Sequence, residues 1–438
     1  MKPITGAPKG TKDITPKDIY KWQHVERKAL SVASLYGFKE IRIPTFEHTE
    51  LFLRGVGDTT DVVQKEMYTF KDKGDRSITL RPEGTSGVMR AAVENNLLSD
   101  KLPAKLCYNI SCFRYEKPQA GRMREFHQFG VEELGSPSPA SDAEVISLAK
   151  NILDELGLKG VTLFINSIGC KECRPKYQQL LKAYLKEHEG ELCETCQERL
   201  KTNPLRVIDC KVPHCADLVK EAPKMIDHLC PECKAHFDEV RERLDKMGID
   251  YKIDPDIVRG LDYYTKTVFE FVTDCIGAQG TVCGGGRYDG LIEEIGGPKL
   301  PGVGFAMGIE RLLLVMDACK AEFPQEEKCS LFIASMGKEA SVEASSLVDR
   351  LRKEGIYAEC DNMERSLKAQ MRFADKEGCL FTMVLGDTEL SEKKAVLKDM
   401  ETKETREIPL DDCFCLKFGK VLIERQLKET LDAPLNKE

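Results

Sequence analysis

The sequence lacks any long apolar run. No stretch approaches the ~20 residues that a membrane span needs, which argues against a membrane protein. The N-terminus, MKPITGAPKGTKDITPKD, carries no apolar signal segment, and that points to a cytoplasmic location. Excess positive charge is also missing. With 65 Lys and Arg against 73 Asp and Glu, the formal charge is −8. Binding nucleic acid by bulk charge is thereby excluded, and any RNA contact must rest on local basic patches. The glycine run Gly284-Gly285-Gly286 lets a backbone approach a ligand, yet it is neither a P-loop nor a dinucleotide fingerprint.

What is present describes a soluble globular protein with ample core. Hydrophobic residues make up 41% and charged residues 32% of 438 positions. That length exceeds a single core and predicts two or three domains. There are 18 cysteines, and eight of them fall between Cys170 and Cys233.

One stretch organises the rest: CFRYEKPQAGRMREFHQFGVEE, residues 112–133. Pro118-Gln119-Ala120-Gly121 is a turn. Tyr108, Ile110, Phe113 and Tyr115 before it, and Phe126, Phe129 and Val131 after it, read as strands. The whole is a long hairpin carrying Arg114, Arg122 and Arg124 interleaved with Glu116, Glu125, Glu132 and Glu133. Arg offers a rigid fork to phosphate or carboxylate, and Glu accepts from ammonium or imidazole N–H. Taken alone, the pattern is better read as a solvated hairpin with cross-strand ion pairs, and it is the rest of the chain that shifts the balance.

Taken in order, residues 17–36 read as an amphipathic helix opened by Thr15-Pro16, with Ile19, Trp22, Val25, Ala29, Leu30 and Val32 on its apolar face. Residues 39–43 alternate as a strand that stops at Pro44. Strands around 67–70 and 78–80 precede Arg81-Pro82-Glu83-Gly84-Thr85-Ser86, a sharp turn into a helix over 85–98. Glu83 and Thr85 there can hold a small ammonium group, or Thr85 can simply cap the helix. Ser141-Asp142-Ala143-Glu144 opens a further helix as a near capping box. Val258–Thr265 leads into a strand at 267–273. Gly302–Met307 is a strand of small residues before the helix that begins Gly308-Ile309-Glu310-Arg311. A cation in a first helical turn opposes the dipole, so Arg311 needs a partner such as an aromatic or nucleobase face. From Ser330 the pattern alternates β and α: strands at 331–334, 356–360, 380–385, 394–398 and 405–409, with helices at 338–354, 366–377 and 418–431. The linker falls at 320–329.

Residues 161–250 differ in character. Cys170-x2-Cys173, Cys193-x2-Cys196 and Cys230-x2-Cys233, with Cys210 and Cys215, sit among charged helical segments. The two-residue spacing lets two thiolates meet one tetrahedral ion, so a structural Zn2+ in the Cys170–Cys233 block is a candidate. Long, irregular gaps between pairs weigh against it, and buried small residues with surface thiols are the competing reading.

The strand–Pro unit at 39–44, the hairpin FRYEKPQAGRMREFHQFG and GIERLL resemble motifs 1, 2 and 3 of class II aminoacyl-tRNA synthetases. RPEGT, RGLDYYT and GGGRYDGL resemble histidyl-tRNA synthetases in particular. The order is right from residue 8 to 315, and a C-terminal α/β segment follows. The resemblance implies an α+β fold. A six-stranded antiparallel sheet flanked by helices would occupy 1–325, with a cysteine-rich helical insertion at about 170–250. An anticodon-binding α/β domain would occupy 326–438.

It also implies a homodimer that activates L-histidine with ATP, with Mg2+, and transfers it to the 3′ end of tRNA(His). Arg114 matches the arginine on the α-phosphate, and Arg259 its opposite, bridging phosphate and carboxylate. Arg122 matches the loop arginine of the γ-phosphate and Glu116 the contact to the adenine amino group. Phe126 and Arg311 match the adenine sandwich. Glu83, Thr85 and Gln128 match binders of the histidine ammonium. Glu132 and Tyr264 match the imidazole partners, with Tyr263 and Tyr288 beside them. Lys117 and Ser86 depart from the commoner Arg and Ala, and many relatives lack the cysteine pairs. Two alternatives compete. One is the non-catalytic regulatory paralogue of ATP phosphoribosyltransferase, which typically lacks the C-terminal domain and erodes the motif arginines. The other is a zinc-ribbon nucleic-acid module, which would explain 170–233 alone.

Overall fold

The computed structural model describes residues 4–57, 60, 62–99, 101–210, 212–259, 261–276, 280–324 and 327–432. Residues 1–3 of the N-terminal stretch, Gly260 of RGLDYYT and positions 325–326 of the expected linker lie outside the described residues. The chain divides into two compact units, Met1–Pro324 and Gln325–Glu438. No helix among the described residues is long and apolar enough to cross a membrane.

The first unit is built on an eight-stranded sheet. Its strands in chain order are β1 (Lys39–Glu40), β2 (Ala104–Phe113), β3 (Glu125–Leu134), β4 (Val161–Ser167), β5 (Lys252–Ile253), β6 (Thr265–Thr273), β7 (Thr281–Arg287) and β8 (Gly302–Gly308). The order across the sheet is β1-β2-β3-β8-β7-β6-β4-β5. The six central strands are antiparallel, as the sequence led us to expect. The two edge strands, not expected as such, are two residues long and pair parallel. The strand predicted over 39–43 therefore shrinks to 39–40. Ile41 N still reaches Cys107 O at 2.8 Å, and then Pro44, with no N–H to donate, ends the pairing.

Strand alternation gives the two sheet faces different jobs. Phe129 and Val131 of β3, Phe269 and Phe271 of β6, and Val303, Phe305 and Met307 of β8 are buried in one core cluster. That cluster also holds Val25, Ala29 and Val32 of helix Pro16–Leu35, and Ile146 and Ala149 of Pro139–Glu155. Val240 of Pro231–Lys246 and Leu312 of Ile309–Cys319 complete its helical side. Each such aliphatic or aromatic side chain contributes roughly 1.5–3 kcal/mol on burial. The residues between them, Gln128, Gly130 and Glu132 on β3 and Gly304 and Ala306 on β8, point to the opposite face, where the floor is small and polar.

Three local expectations change. Helix Pro139–Glu155 begins before Ser141, because Ser138 Oγ accepts from Ala140 N at 3.2 Å and so caps it. This places Asp142 inside the helix. The helix after RPEGT ends at Glu94, short of residue 98, and Thr85 is its first residue, not its cap. Glu83 does the capping: its carboxylate accepts from Thr85 N at 2.7 Å and Ser86 N at 2.9 Å. A helix at Thr49–Val56, packed beside a three-stranded sheet of Phe46–His48, Thr69–Lys71 and Ser77–Leu80, was not expected from pattern.

The second unit is a five-stranded sheet of Leu331–Ser335, Ala358–Cys360, Phe381–Leu385, Lys394–Asp399 and Thr405–Pro409. The first three run parallel and the last two antiparallel. Helices Lys338–Lys353 and Leu367–Lys376 make the crossovers, and the last helix, Phe414–Asp432, starts four residues before the expected 418.

Candidate functional site

The polar face of the sheet opens into a cavity of about 390 Å³. Glu83, Thr85, Arg114, Glu116, Arg122, Phe126, Gln128, Glu132, Arg259, Tyr263, Tyr264, Tyr288 and Arg311 all line it. These residues span 229 positions of sequence, from 83 to 311, and the sheet brings them to one place.

One end is built around Glu132, which is 1% exposed. Its Oε1 accepts from Thr85 Oγ1 at 2.7 Å and from Tyr108 Oη at 3.0 Å, and its Oε2 accepts from Tyr288 Oη. Burial raises its pKa to about 8, with the neighbouring Glu83 adding to the rise while the three hydroxyls oppose it. The rings of Tyr263, Tyr264 and Tyr288 form a cluster, with centroids 4.6 Å apart for the first two and 5.6 Å for Tyr263 and Tyr288. A buried acid faced by phenols and a hydroxyl suits a small ring that carries both a donor and an acceptor nitrogen.

The other end is cationic. Arg114 Nε donates to Pro82 O at 2.8 Å, and its guanidinium carbon lies 5.2 Å from the Phe126 ring centroid. Arg122, in the hairpin loop, pairs with Glu116. That loop closes through the mutual backbone bonds of Gln119 and Arg122 at 3.0 and 2.9 Å, and Gly121 takes φ +69° there. Arg311 sits in the first turn of its helix, and its guanidinium donates to Thr281 O at 2.6 Å and Gly121 O at 3.4 Å. Two carbonyl oxygens thus hold this guanidinium in the cavity wall. Burial, then Arg122, and also Arg114 lower its pKa from the ordinary value, so the arginines converge closely enough to feel one another.

Arg259 pairs with Glu270, which in turn accepts from Thr281 Oγ1 at 2.9 Å. Burial opposes the Arg259 charge, and Glu270 more than compensates, so its pKa rises. Among the described residues the Arg259 Nε is buried without a hydrogen-bond partner. Gly284 makes room for this side chain, since a Cβ there would overlap both Arg259 Nη atoms. Gly304 likewise leaves space for the Glu132 carboxylate.

Several residues that shape the cavity were not legible in the sequence. Tyr108 read only as an apolar strand residue, yet its hydroxyl reaches Glu132. Glu310 accepts from His127 N at 2.9 Å and lies 3.0 Å from His127 Nδ1, fastening β3 to the helix that carries Arg311. Arg81 spans three segments, donating to Ser111 O at 2.6 Å and Ile43 O at 2.7 Å. Arg206 and Asp209, from within the cysteine-rich block, also line the cavity. Conversely, Glu133 faces away from it, accepting from Ser141 Oγ at 2.5 Å.

The histidyl-tRNA synthetase family profile matches residues 10–312, and an anticodon-binding-domain profile matches 330–414. The chain is 57% identical to a histidine–tRNA ligase of Acetivibrio thermocellus over 93% of this chain and 98% of that one. It is 54% identical to a histidine–tRNA ligase of Clostridioides difficile over 93% and 97%. The crystal structure of apo Staphylococcus aureus histidyl-tRNA synthetase superposes with a TM-score of 0.81 at 42% identity, covering 95% of this chain and 100% of that one.

Proposed function

The chain belongs to the histidyl-tRNA synthetase family of class II aminoacyl-tRNA synthetases, and from that premise we propose how its cavity performs the reaction. The activity is histidine–tRNA ligation: L-histidine and ATP give histidyl-adenylate and pyrophosphate, and the acyl group then passes to tRNA(His). The observation that carries the residue assignment is the polarity of one cavity, with a hydroxyl-bound acid at one end, Arg114, Arg122 and Arg311 at the other, and Arg259 beside the Tyr264 ring.

In this reading a carboxylate oxygen of histidine attacks the α-phosphorus. The bond to pyrophosphate breaks, and no protein nucleophile takes part. Arg114 and Arg259 hold the α-phosphate from opposite sides, stabilising charge as it builds in the transition state. Arg259 also bridges to the attacking carboxylate, so nucleophile and phosphorus are oriented together. Arg122 reaches the γ-phosphate, Glu116 the adenine amino group, and Phe126 and Arg311 the adenine faces. Glu83, Thr85 and Gln128 receive the histidine ammonium. Glu132 accepts from the imidazole N–H and Tyr264 donates to the other nitrogen, with Tyr263 and Tyr288 closing the pocket. An amino acid lacking either nitrogen would leave buried groups unpaired, which supports strong discrimination.

Class II synthetases work with ATP and Mg2+, and Mg2+ neutralises charge on the phosphates. Structural zinc in the cysteine block is part of this reading. So is a homodimer: Phe46, Leu53 and Phe70, exposed by 56%, 42% and 48%, offer apolar surface that a second copy would cover. The chain ends in an anticodon-binding domain, and its motif arginines are intact, features the regulatory paralogue of ATP phosphoribosyltransferase typically lacks.

The test is ATP–pyrophosphate exchange without tRNA, run with each amino acid in turn. Exchange with histidine alone is expected. No exchange from folded protein, with histidine binding detected by calorimetry, would favour the regulatory reading instead.

A further inference from the structure

Nothing in adenylate chemistry explains the eight cysteines between β4 and β6. In space they resolve into two separate groups of four, Cys170, Cys173, Cys230 and Cys233, and Cys193, Cys196, Cys210 and Cys215. Within each group every pair of Sγ atoms lies within 4.8 Å. Sγ separations are 3.8 Å for Cys170 to Cys173, 3.8 Å for Cys170 to Cys230 and 3.9 Å for Cys173 to Cys233. In the other group Cys193 to Cys210 is 3.9 Å. Zn–S bonds of ~2.3 Å at tetrahedral angles put sulfurs ~3.8 Å apart, whereas a disulfide needs ~2.05 Å.

The backbone is arranged for thiolates as well. Cys173 starts the helix Cys173–Glu187, while Cys193 and Cys230 occupy cap positions of Glu194–Thr202 and Pro231–Lys246. Helix N-termini favour negative charge. Cys170 N donates to Cys173 Sγ, and Cys193 N to Cys215 Sγ, each at 3.2 Å.

Both groups also grip the strip that carries the cavity's tyrosines. Arg174, next to Cys173, donates to Tyr264 O at 2.5 Å, and Lys266 N donates to Gly169 O at 2.8 Å. Between Cys196 and Cys210, Asn203 donates to Asp262 Oδ1 at 3.2 Å, and Arg206 pairs with the same oxygen at 3.5 Å. We propose that the chain holds two zinc ions, an outer one on Cys170, Cys173, Cys230 and Cys233 and an inner one on Cys193, Cys196, Cys210 and Cys215. Together they fix residues 262–266 in the cavity wall. On binding, the thiols release their protons to solvent. The first part stands on the cysteine geometry alone, and the second rests on the histidine-site reading.

The metal content of the full chain, purified under reducing conditions, tests the first part. Two zinc ions per chain are expected, falling to one in Cys210→Ser/Cys215→Ser and to one in Cys230→Ser/Cys233→Ser. One zinc or none in the parent chain overturns the proposal, as does iron, which also accepts four thiolates. Should either variant precipitate, cobalt(II) titration of the chelator-stripped parent chain decides. Thiolate-to-metal absorption rising to two equivalents supports two sites, and saturation at one overturns them.

For the second part, Cys210→Ser/Cys215→Ser should raise the KM for histidine in pyrophosphate exchange on the order of tenfold to a hundredfold, with the KM for ATP nearly unchanged. Equal rises in both would overturn the coupling. Metal content is read without activity. Two zinc ions in a folded chain that exchanges nothing would therefore sink the ligase assignment and leave the metal sites standing.

Discussion

The Thr85 hydroxyl donates to Glu132 Oε1 at 2.7 Å, tying the start of a helix to the middle of the sheet. With Tyr108 and Tyr288 this surrounds Glu132 with donors, yet burial wins and its pKa stands at about 8. Relative to the ordinary 4.5, the folded protein holds this proton too long. The contribution of Glu132 to stability is therefore full below 4.5 and lost as pH rises through about 8. Histidine binding has the opposite sign, because an imidazole N–H needs the carboxylate.

The KM for histidine should accordingly fall as pH rises toward 8, by up to about tenfold per pH unit below that value. Glu132→Gln should remove the break and raise this KM far more than that for ATP. Steady-state exchange between pH 6.5 and 9 checks both, and a profile identical in the variant would remove Glu132 from the imidazole site.

Arg259→His should abolish adenylate formation while the fold persists. The substitution withdraws a permanent charge from the reacting phosphate, a loss of at least about 10²–10³ in kcat. Single-turnover adenylate formation and circular dichroism report the two halves of this expectation.

Gly284→Ala should act through Arg259 without touching substrate. The added methyl would occupy the space of the guanidinium nitrogens. Displacing an orienting group by about 1 Å can cost on the order of 10² in rate. Exchange kinetics should show the loss with little change in melting temperature.

Arg287 and Asp142 are each 0% exposed and lie 145 positions apart, joined by Arg287 Nε to Asp142 Oδ2 at 3.0 Å. Burial alone would raise the Asp142 pKa, but Arg287 and His236 hold it lowered. This stabilisation is present above the ordinary value of 3.8 and lost as pH falls below it. Arg287→Met leaves a buried carboxylate facing no guanidinium and should cost about 3–5 kcal/mol. Replacing Asp142 by Leu in the same chain should recover much of that, as read by urea denaturation.

The sheet was largely legible because strand alternation is written in sequence: Phe126, Gln128 and Glu132 share one face while Phe129 and Val131 share the other. The cavity was legible where residues belong to contiguous motifs. Tyr108 escaped because a Tyr among strand residues reads as core, and its hydroxyl partner lies 24 positions away. Asp142 escaped because it looked like part of a capping box, when Ser138 had already capped the helix. The sorting of cysteines into two groups was closed to inspection, since eight thiols at irregular gaps pair in many ways. Only the helices between them select one.

Cys170 and Cys230 stand at the beginning and end of the cysteine-rich block, and their sulfurs are 3.8 Å apart. Sixty positions of chain thus leave the sheet and return through a single doorway. A segment attached in this way behaves as a cassette. It can lengthen, shorten or be replaced with the distance between its two attachment points unchanged, so the strand that holds Glu132 and its neighbours in the sheet need not shift register to accommodate it.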